Sequence, residues 1–191
     1  MKNDITILLV PGLGGSEPNH WQSIWEQNII GGRLVHFKDW DQPKISEWTR
    51  ELDETVSQID EPIILIGHSA GSLTIVHWAN HFSRDIAGAL LVSPPDVESP
   101  PPPNVPLPKD WGVTSGFAPI PINPLPFLSI VVASSDDASA AIDRIEYFSK
   151  CWRSRFVNIG ACGHINVESG FGPWPEGEKL LQELISDCNL I

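Results

Sequence analysis

Residues 67–71 read Gly-His-Ser-Ala-Gly, a serine set between two glycines. The stretch follows the apolar run Pro62-Ile-Ile-Leu-Ile and precedes Ser72-Leu-Thr-Ile-Val-His-Trp-Ala. A strand that turns at once into a helix brings its own backbone too close for a Cβ two residues before and two after the turn, and glycine relieves the clash. The turn residue is then held in a strained conformation with its side chain above the sheet edge, beside the free amides and positive end of the new helix. Ser69 in that place is a candidate nucleophile. A hydroxyl attacks well only when a base takes its proton, and the base must itself be oriented, most simply by a carboxylate.

On a scaffold of this kind the order along the chain is serine, acid, histidine. After Ser69 come His77, His81 and His164. His77 and His81 lie two and three turns down the helix that starts at Ser69, too far along it to reach back. His164, in Gly160-Ala-Cys-Gly-His-Ile-Asn, follows the last apolar strand pattern and is the candidate base. The acid should end the preceding strand, where Ser134-Ser-Asp-Asp-Ala supplies Asp136 and Asp137. Asp137 sits further into the loop and is the choice. Asp136 would then cap the following helix, whose first turn favours negative charge, and the two roles could be exchanged. An oxyanion needs two backbone amides. Ala70 supplies one, and the glycine-rich loop Pro11-Gly-Leu-Gly-Gly the other, at Leu13 or, as second choice, Gly12. Gly12 and His68, beside these groups in the chain, are pocket candidates. So are Phe171 and Trp174, which follow His164 and either wall an acyl pocket or pack their own loop.

The same residues exclude other chemistry. A dinucleotide fingerprint would need glycine where Glu17 stands, and a phosphate-binding P-loop would need Gly-Lys-Ser/Thr. His77 and His81 have a zinc-compatible spacing but neither the adjacent glutamate nor a third ligand, so they read as packed helix histidines and no metal is expected. Cys162 lies near His164 but on no elbow, and reads as a small packing residue.

The elements that must position these groups alternate along the chain. Strand patterns fall at Ile5–Val10, Arg33–Phe37, Pro62–Gly67, Ala87–Ser93, Phe127–Ser134 and Arg155–Gly160. Most are continuously apolar, which suits parallel strands covered on both faces. Helix patterns fall between them: one from a cap at Ser16 with Pro18 early, one with Ile45, Trp48, Leu52, Val56 and Ile59 on one face, one after Ser69, one over about 140–151 and one over about 176–188. The expectation is an α/β three-layer sandwich, a mostly parallel doubly wound sheet of about six strands forming one domain over 1–191. Between Pro94 and Pro126 lie twelve of the 18 prolines. Proline lacks the amide that a helix interior or central strand needs, so this segment is a long surface excursion, either a linker or a flap over a pocket.

Composition sets the outer limits. The chain has 191 residues, 41% hydrophobic and 19% charged, enough for a sound core. A net charge of −12 repels phosphate backbones and anionic lipid, which argues against nucleic-acid and membrane roles. No run of apolar residues is long enough to span a bilayer. The amino-terminal Met1-Lys-Asn-Asp lacks the long apolar core of a leader. Three scattered cysteines, Cys151, Cys162 and Cys188, suit reduced thiols and a cytoplasmic location.

At Pro11–Glu26, Gly67–Ser72, Val132–Ala140 and Gly163–Gly177 the chain resembles the small serine hydrolases related to the retinoblastoma-binding serine hydrolase, within the α/β-hydrolase superfamily. The pieces spread from the first strand to the last helix. The first and last are the most specific, because their tryptophans and prolines have no general catalytic reason to be there. The resemblance implies a triad on Ser69, Asp137 and His164. Where the family often has Asn-Asp-Pro, this chain has Asp136-Asp137-Ala138. The Leu-x-Cys-x-Glu motif behind the human relative's partnership is absent, so no such partner is implied. The expected activity is cleavage of small carboxylic esters through an acyl-enzyme, at a shallow site, with a small-molecule acyl substrate and no cofactor. Alternatives are an aminoacyl amide or ester hydrolase, and a catalytically weak binding module on the same fold.

Overall fold

The computed structural model describes residues 5–101, 103, 105 and 107–190. The amino-terminal Met1–Asp4 and Pro102, within the four-proline run, lie outside the described residues. Six strands form one parallel sheet: β1 (Thr6–Val10), β2 (Gly32–Leu34), β3 (Ile63–His68), β4 (Gly88–Val92), β5 (Leu128–Ala133) and β6 (Arg155–Asn158). Their spatial order is β2-β1-β3-β4-β5-β6. Every neighbouring pair is parallel.

The sheet is buried on both faces, which is why the strands read as unbroken apolar runs. Successive side chains point to opposite sides. Leu8, Val10, Leu65, Leu91 and Val131 enter one core with α2 (Ile45–Val56), α3 (Ala70–His81) and α5 (Ile142–Trp152). Ile7, Leu9, Ile64, Ile66, Leu90 and Val132 enter the other with α1 (Trp21–Asn28) and α6 (Pro175–Asp187). The predicted face of α2 is correct: Trp48, Leu52 and Val56 are buried in the first core.

Two expectations need correction, and a choice left open for the excursion is decided. Helix α1 begins at Trp21, not near Ser16. His20 is its cap, its Nδ1 accepting the Gln22 amide at 3.2 Å, and Pro18 precedes the helix. Strand β2 is only three residues, although the Val35 amide still bonds the Leu9 carbonyl beyond its end. The excursion is not a linker. It carries the short helix α4 (Trp111–Ser115), stacks Trp111 on Phe117, and donates the Asp96 amide to the Ser139 carbonyl. Arg144 of α5 binds Asp96 at 3.4 Å and also pairs with Glu98, so the excursion is fastened to the body of the fold.

Candidate active site

The chain leaves β1 toward β2 and leaves β3 toward β4 in the opposite direction, so the sheet has its switch point between β1 and β3. Loops at the carboxyl ends of parallel strands converge on such a point. Leu13 follows β1, Ser69 follows β3, Asp137 follows β5 and His164 follows β6.

Ser69 has φ 53° and ψ −126°, a conformation that few non-glycine residues adopt. The flanking glycines are needed for the reason read from the sequence. A Cβ at Gly67 would lie 2.6 Å from the Ser72 backbone nitrogen, and one at Gly71 would overlap the Val10 carbonyl oxygen. The turn is also tied from within. Ser72 Oγ donates to the Gly67 and Val92 carbonyls at 2.9 and 3.0 Å. Gln22, fully buried, donates its side-chain NH₂ to the carbonyls of Val10 and Ile66, stitching β1 to β3 beside the switch point.

His164 Nε2 lies 2.9 Å from Ser69 Oγ, and its Nδ1 lies 2.8 Å from Asp137 Oδ2. Asp137 Oδ1 accepts the Ser139 amide and hydroxyl at 2.8 and 2.7 Å. An acceptor-only carboxylate on one side of the ring and a hydroxyl able to donate on the other fix the tautomer: Nδ1–H donates to the carboxylate, and the Nε2 lone pair accepts from the serine. Asp136 does something else. Its Oδ1 accepts the Ser134 hydroxyl and the Gly163 amide, both at 2.7 Å, while the Cys162 amide donates to Ser134 Oγ. It therefore pins the histidine loop to the acid loop. It does not cap a helix: α5 starts after Ala141, with no side-chain cap. The Ser134 and Gly163 hydrogen bonds hold the Asp136 carboxyl below its ordinary pKa.

The histidine itself is held by strain and by two rings. Ile165, buried and β-branched, has φ 50°. Such a conformation costs about 1–3 kcal/mol and persists only where neighbours enforce it. Here Trp21 Nε1 donates to the Ile165 carbonyl at 2.9 Å, and His68 Nε2 donates to the His164 carbonyl at 2.9 Å. Burial first, then His164 and His20, push the His68 pKa well below the ordinary value, so it serves as a neutral donor. These contacts give the tryptophan at position 21 a role beyond the helix packing that its spacing with Ile24 and Trp25 implies; the signal was the His20-Trp21-Gln22 run inside one of the two most specific matching pieces.

Leu13 and Ala70 both line the cavity above Ser69. Ala70 opens α3, so its amide has no intrahelical acceptor and is available to an oxyanion. Gly12 lies so close that a Cβ there would be 2.9 Å from Ser69 Cβ. This cavity has a volume of about 360 Å³, and the excursion supplies one wall through Val97, Val105, Leu107 and Trp111. The excursion thus walls the cavity with a loop and one short helix, in keeping with the expectation that no large helical lid is present. Phe171 and Trp174 are not part of the wall. Trp174 is buried against Trp21 and Trp25 in the second core, and Phe171 packs on Trp174. His77 bonds the Phe117 carbonyl at 2.9 Å and His81 bonds the His77 carbonyl at 2.7 Å, both remote from Ser69 in role. Among the described residues no helix is long and apolar enough to cross a membrane.

A parallel sheet of this order, with a serine on a strained turn after its third strand, defines the α/β-hydrolase class. Residues 7–183 match the model of the serine hydrolase family, and the chain belongs to that family. It is similar to the structure of a YdeN-like hydrolase from Pectobacterium atrosepticum, at 32% identity and TM-score 0.84, over 97% of this chain and 92% of that one. It is also similar to the ydeN gene product of Bacillus subtilis, at 17% identity and TM-score 0.75, over 95% and 98%. Est1E of Butyrivibrio proteoclasticus with bound ferulic acid shares the fold, at 14% identity and TM-score 0.65, over 97% and 91%. No curated protein matches the sequence.

Proposed function

We propose that the protein hydrolyses small carboxylic esters through an acyl-enzyme on Ser69. The Ser69 hydroxyl gives its proton to His164 Nε2 as Oγ bonds the ester carbonyl carbon. The amides of Leu13 and Ala70 hold the oxygen that becomes negative. The tetrahedral species collapses as His164 returns the proton to the leaving alkoxide, which departs as the alcohol. Water then repeats the sequence on the acyl-enzyme and releases the carboxylic acid. Asp137 keeps the ring oriented and stabilises it while charged. The observation that carries this reading is the unbroken chain of hydrogen bonds from Ser69 Oγ through His164 to Asp137.

An aminoacyl substrate would need a free carboxylate for its ammonium group. Asp96 is paired with Arg144, and Asp136 is engaged by Ser134 and Gly163, so of the carboxylates lining the cavity above Ser69 only Glu168, on the exposed surface, is open to an ammonium group, and an uncharged acyl group is the simpler fit. The apolar wall from the excursion supports the same choice. A fluorophosphonate probe tests the reading. Labelling is expected in the unaltered protein and in His77→Ala, and is expected to vanish in Ser69→Ala and His164→Ala. Labelling that survives Ser69→Ala, or folded protein that takes no label, refutes it; the latter outcome is the one a binding module would give.

A further inference from the structure

A carbonyl carbon bonded to Ser69 carries two substituents, the acyl chain and the leaving alcohol, and each needs room. Two cavities meet there: Leu13, Ser69, His164, Asn166 and Glu168 line both. The first runs under the apolar excursion and suits the acyl chain. The second, about 280 Å³, shares those residues with the first but is otherwise walled by different ones, Gly12, Glu17, His20 and His68 among them.

His20 is 6% exposed and has no part in the proton relay. Its Nδ1 accepts the Gln22 amide at the start of α1, so a neutral ring must carry its proton on Nε2. Burial, and then the nearness of His164, bring its pKa down to about 4, which keeps it neutral. Among the described residues Nε2–H has no hydrogen-bond acceptor, although His20 lines the cavity. Asn166 is fixed in a similar way. Its Oδ1 accepts the Ser169 amide at 3.0 Å and the Ser169 hydroxyl at 2.8 Å, which leaves its NH₂ as the free end. Two donors of fixed identity therefore border the second cavity. Glu17 and Glu168 stand at its exposed edge and disfavour an anionic group.

We propose that this second cavity is a leaving-group subsite for uncharged, hydroxyl-bearing alcohols, with His20 Nε2–H donating a hydrogen bond to an alcohol oxygen and the Asn166 NH₂ to another. The inference rests on Ser69 being the nucleophile.

The test compares two esters of one acid, 1-glyceryl butyrate and propyl butyrate. The ratio of their kcat/KM values reports steps up to acylation, where the alcohol is still present. In His20→Asn the asparagine still caps α1, as asparagine does well, but the Nε2–H donor is gone. The glyceryl-to-propyl ratio is expected to fall about five- to tenfold, the value of one neutral hydrogen bond. A ratio unchanged within about twofold, whether or not both rates drop, overturns the proposal. The unaltered protein gives the same answer without a substitution. Its ratio should exceed the ratio for plain alkaline hydrolysis by about five- to tenfold or more, and a ratio at or below the alkaline one overturns the proposal. Labelling of Ser69 by fluorophosphonate without cleavage of the glyceryl ester sinks the subsite alone. Absence of both labelling and cleavage sinks the reading on which it rests.

Discussion

Two adjacent aspartates invite a direct contrast. In Asp137→Asn one carboxylate oxygen becomes an NH₂. If the amide keeps its oxygen toward the Ser139 amide and hydroxyl, the NH₂ faces His164 Nδ1, which must then accept; the ring proton moves to Nε2 and points at Ser69. A base protonated on that nitrogen cannot take the serine proton. If the amide turns over to spare the histidine, its NH₂ is aimed at the Ser139 backbone N–H, donor against donor, on a side chain only 6% exposed. The second arrangement keeps the productive tautomer but at the cost of that buried clash, so the first, which removes the base, is favoured. The expected loss in kcat is about 10³–10⁴-fold, or about 4–5.5 kcal/mol of barrier. In Asp136→Asn a single oxygen, Oδ1, makes both bonds, and an amide oxygen can accept both. Only charge is lost, and the expected drop is less than about tenfold. Steady-state hydrolysis of a chromogenic butyrate ester by both variants, with unfolding curves to show that each is folded, measures the contrast. Equal damage from the two substitutions, or greater damage from Asp136→Asn, refutes the assignment of the orienting acid.

Gly71→Ala should destabilise the fold by about 3 kcal/mol or more, because the new Cβ meets main-chain carbonyls that cannot swing aside; a urea midpoint close to that of the unaltered protein would contradict this. Stability should fall as pH falls from about 6.5 toward the pKa of about 4 that burial and His164 give His20. The unfolded chain binds the extra proton across that window, at up to about 1.4 kcal/mol per pH unit for His20, and the downward shift of His68 acts in the same direction. Urea midpoints at about pH 7 and about pH 5 check the sign, and equal or higher stability at the lower pH would be the wrong result. Arg144→Ala should leave global stability within about 1 kcal/mol yet speed protease nicking between residues 94 and 126 about fivefold, since the pairs to Asp96 and Glu98 fasten that segment; nicking at the original rate would show that the fastening lies elsewhere.

The strand pattern was legible because parallel strands buried on both faces need apolar residues at every position. Ile63–Ile66 is an example, with alternate side chains in the two cores. The placement of Ser69 was legible for a different reason: a strand-to-helix turn this tight has local steric demands that appear as local glycines. What was misread depends on contacts distant in sequence. Ser16 is the better cap by residue type, but His20 does the capping, since its ring also packs on His68 and Trp21. Asp136 looked like a helix cap because the helix that follows was read about two residues too early, and its bond to Gly163 spans 27 positions. Phe171 and Trp174 looked like pocket walls through their closeness to His164 in the chain. The 3-10 turn at Val167–Ser169 carries them down into the second core instead. Of the second cavity, Gly12 and His68 were read as pocket candidates and do line it, but the part of His20, Asn166 and Glu17 was not legible, because it depends on separate segments meeting in space.

The proposed reacting groups stand at strand ends, while the cavity proposed for the acyl chain borrows a wall from a segment hung outside the sheet. The machinery and the template are thus separate pieces of chain. Exchanging the span between Ser93 and Leu128 for another of similar reach would change which acids are accepted, while leaving the way the bond is cut as it is.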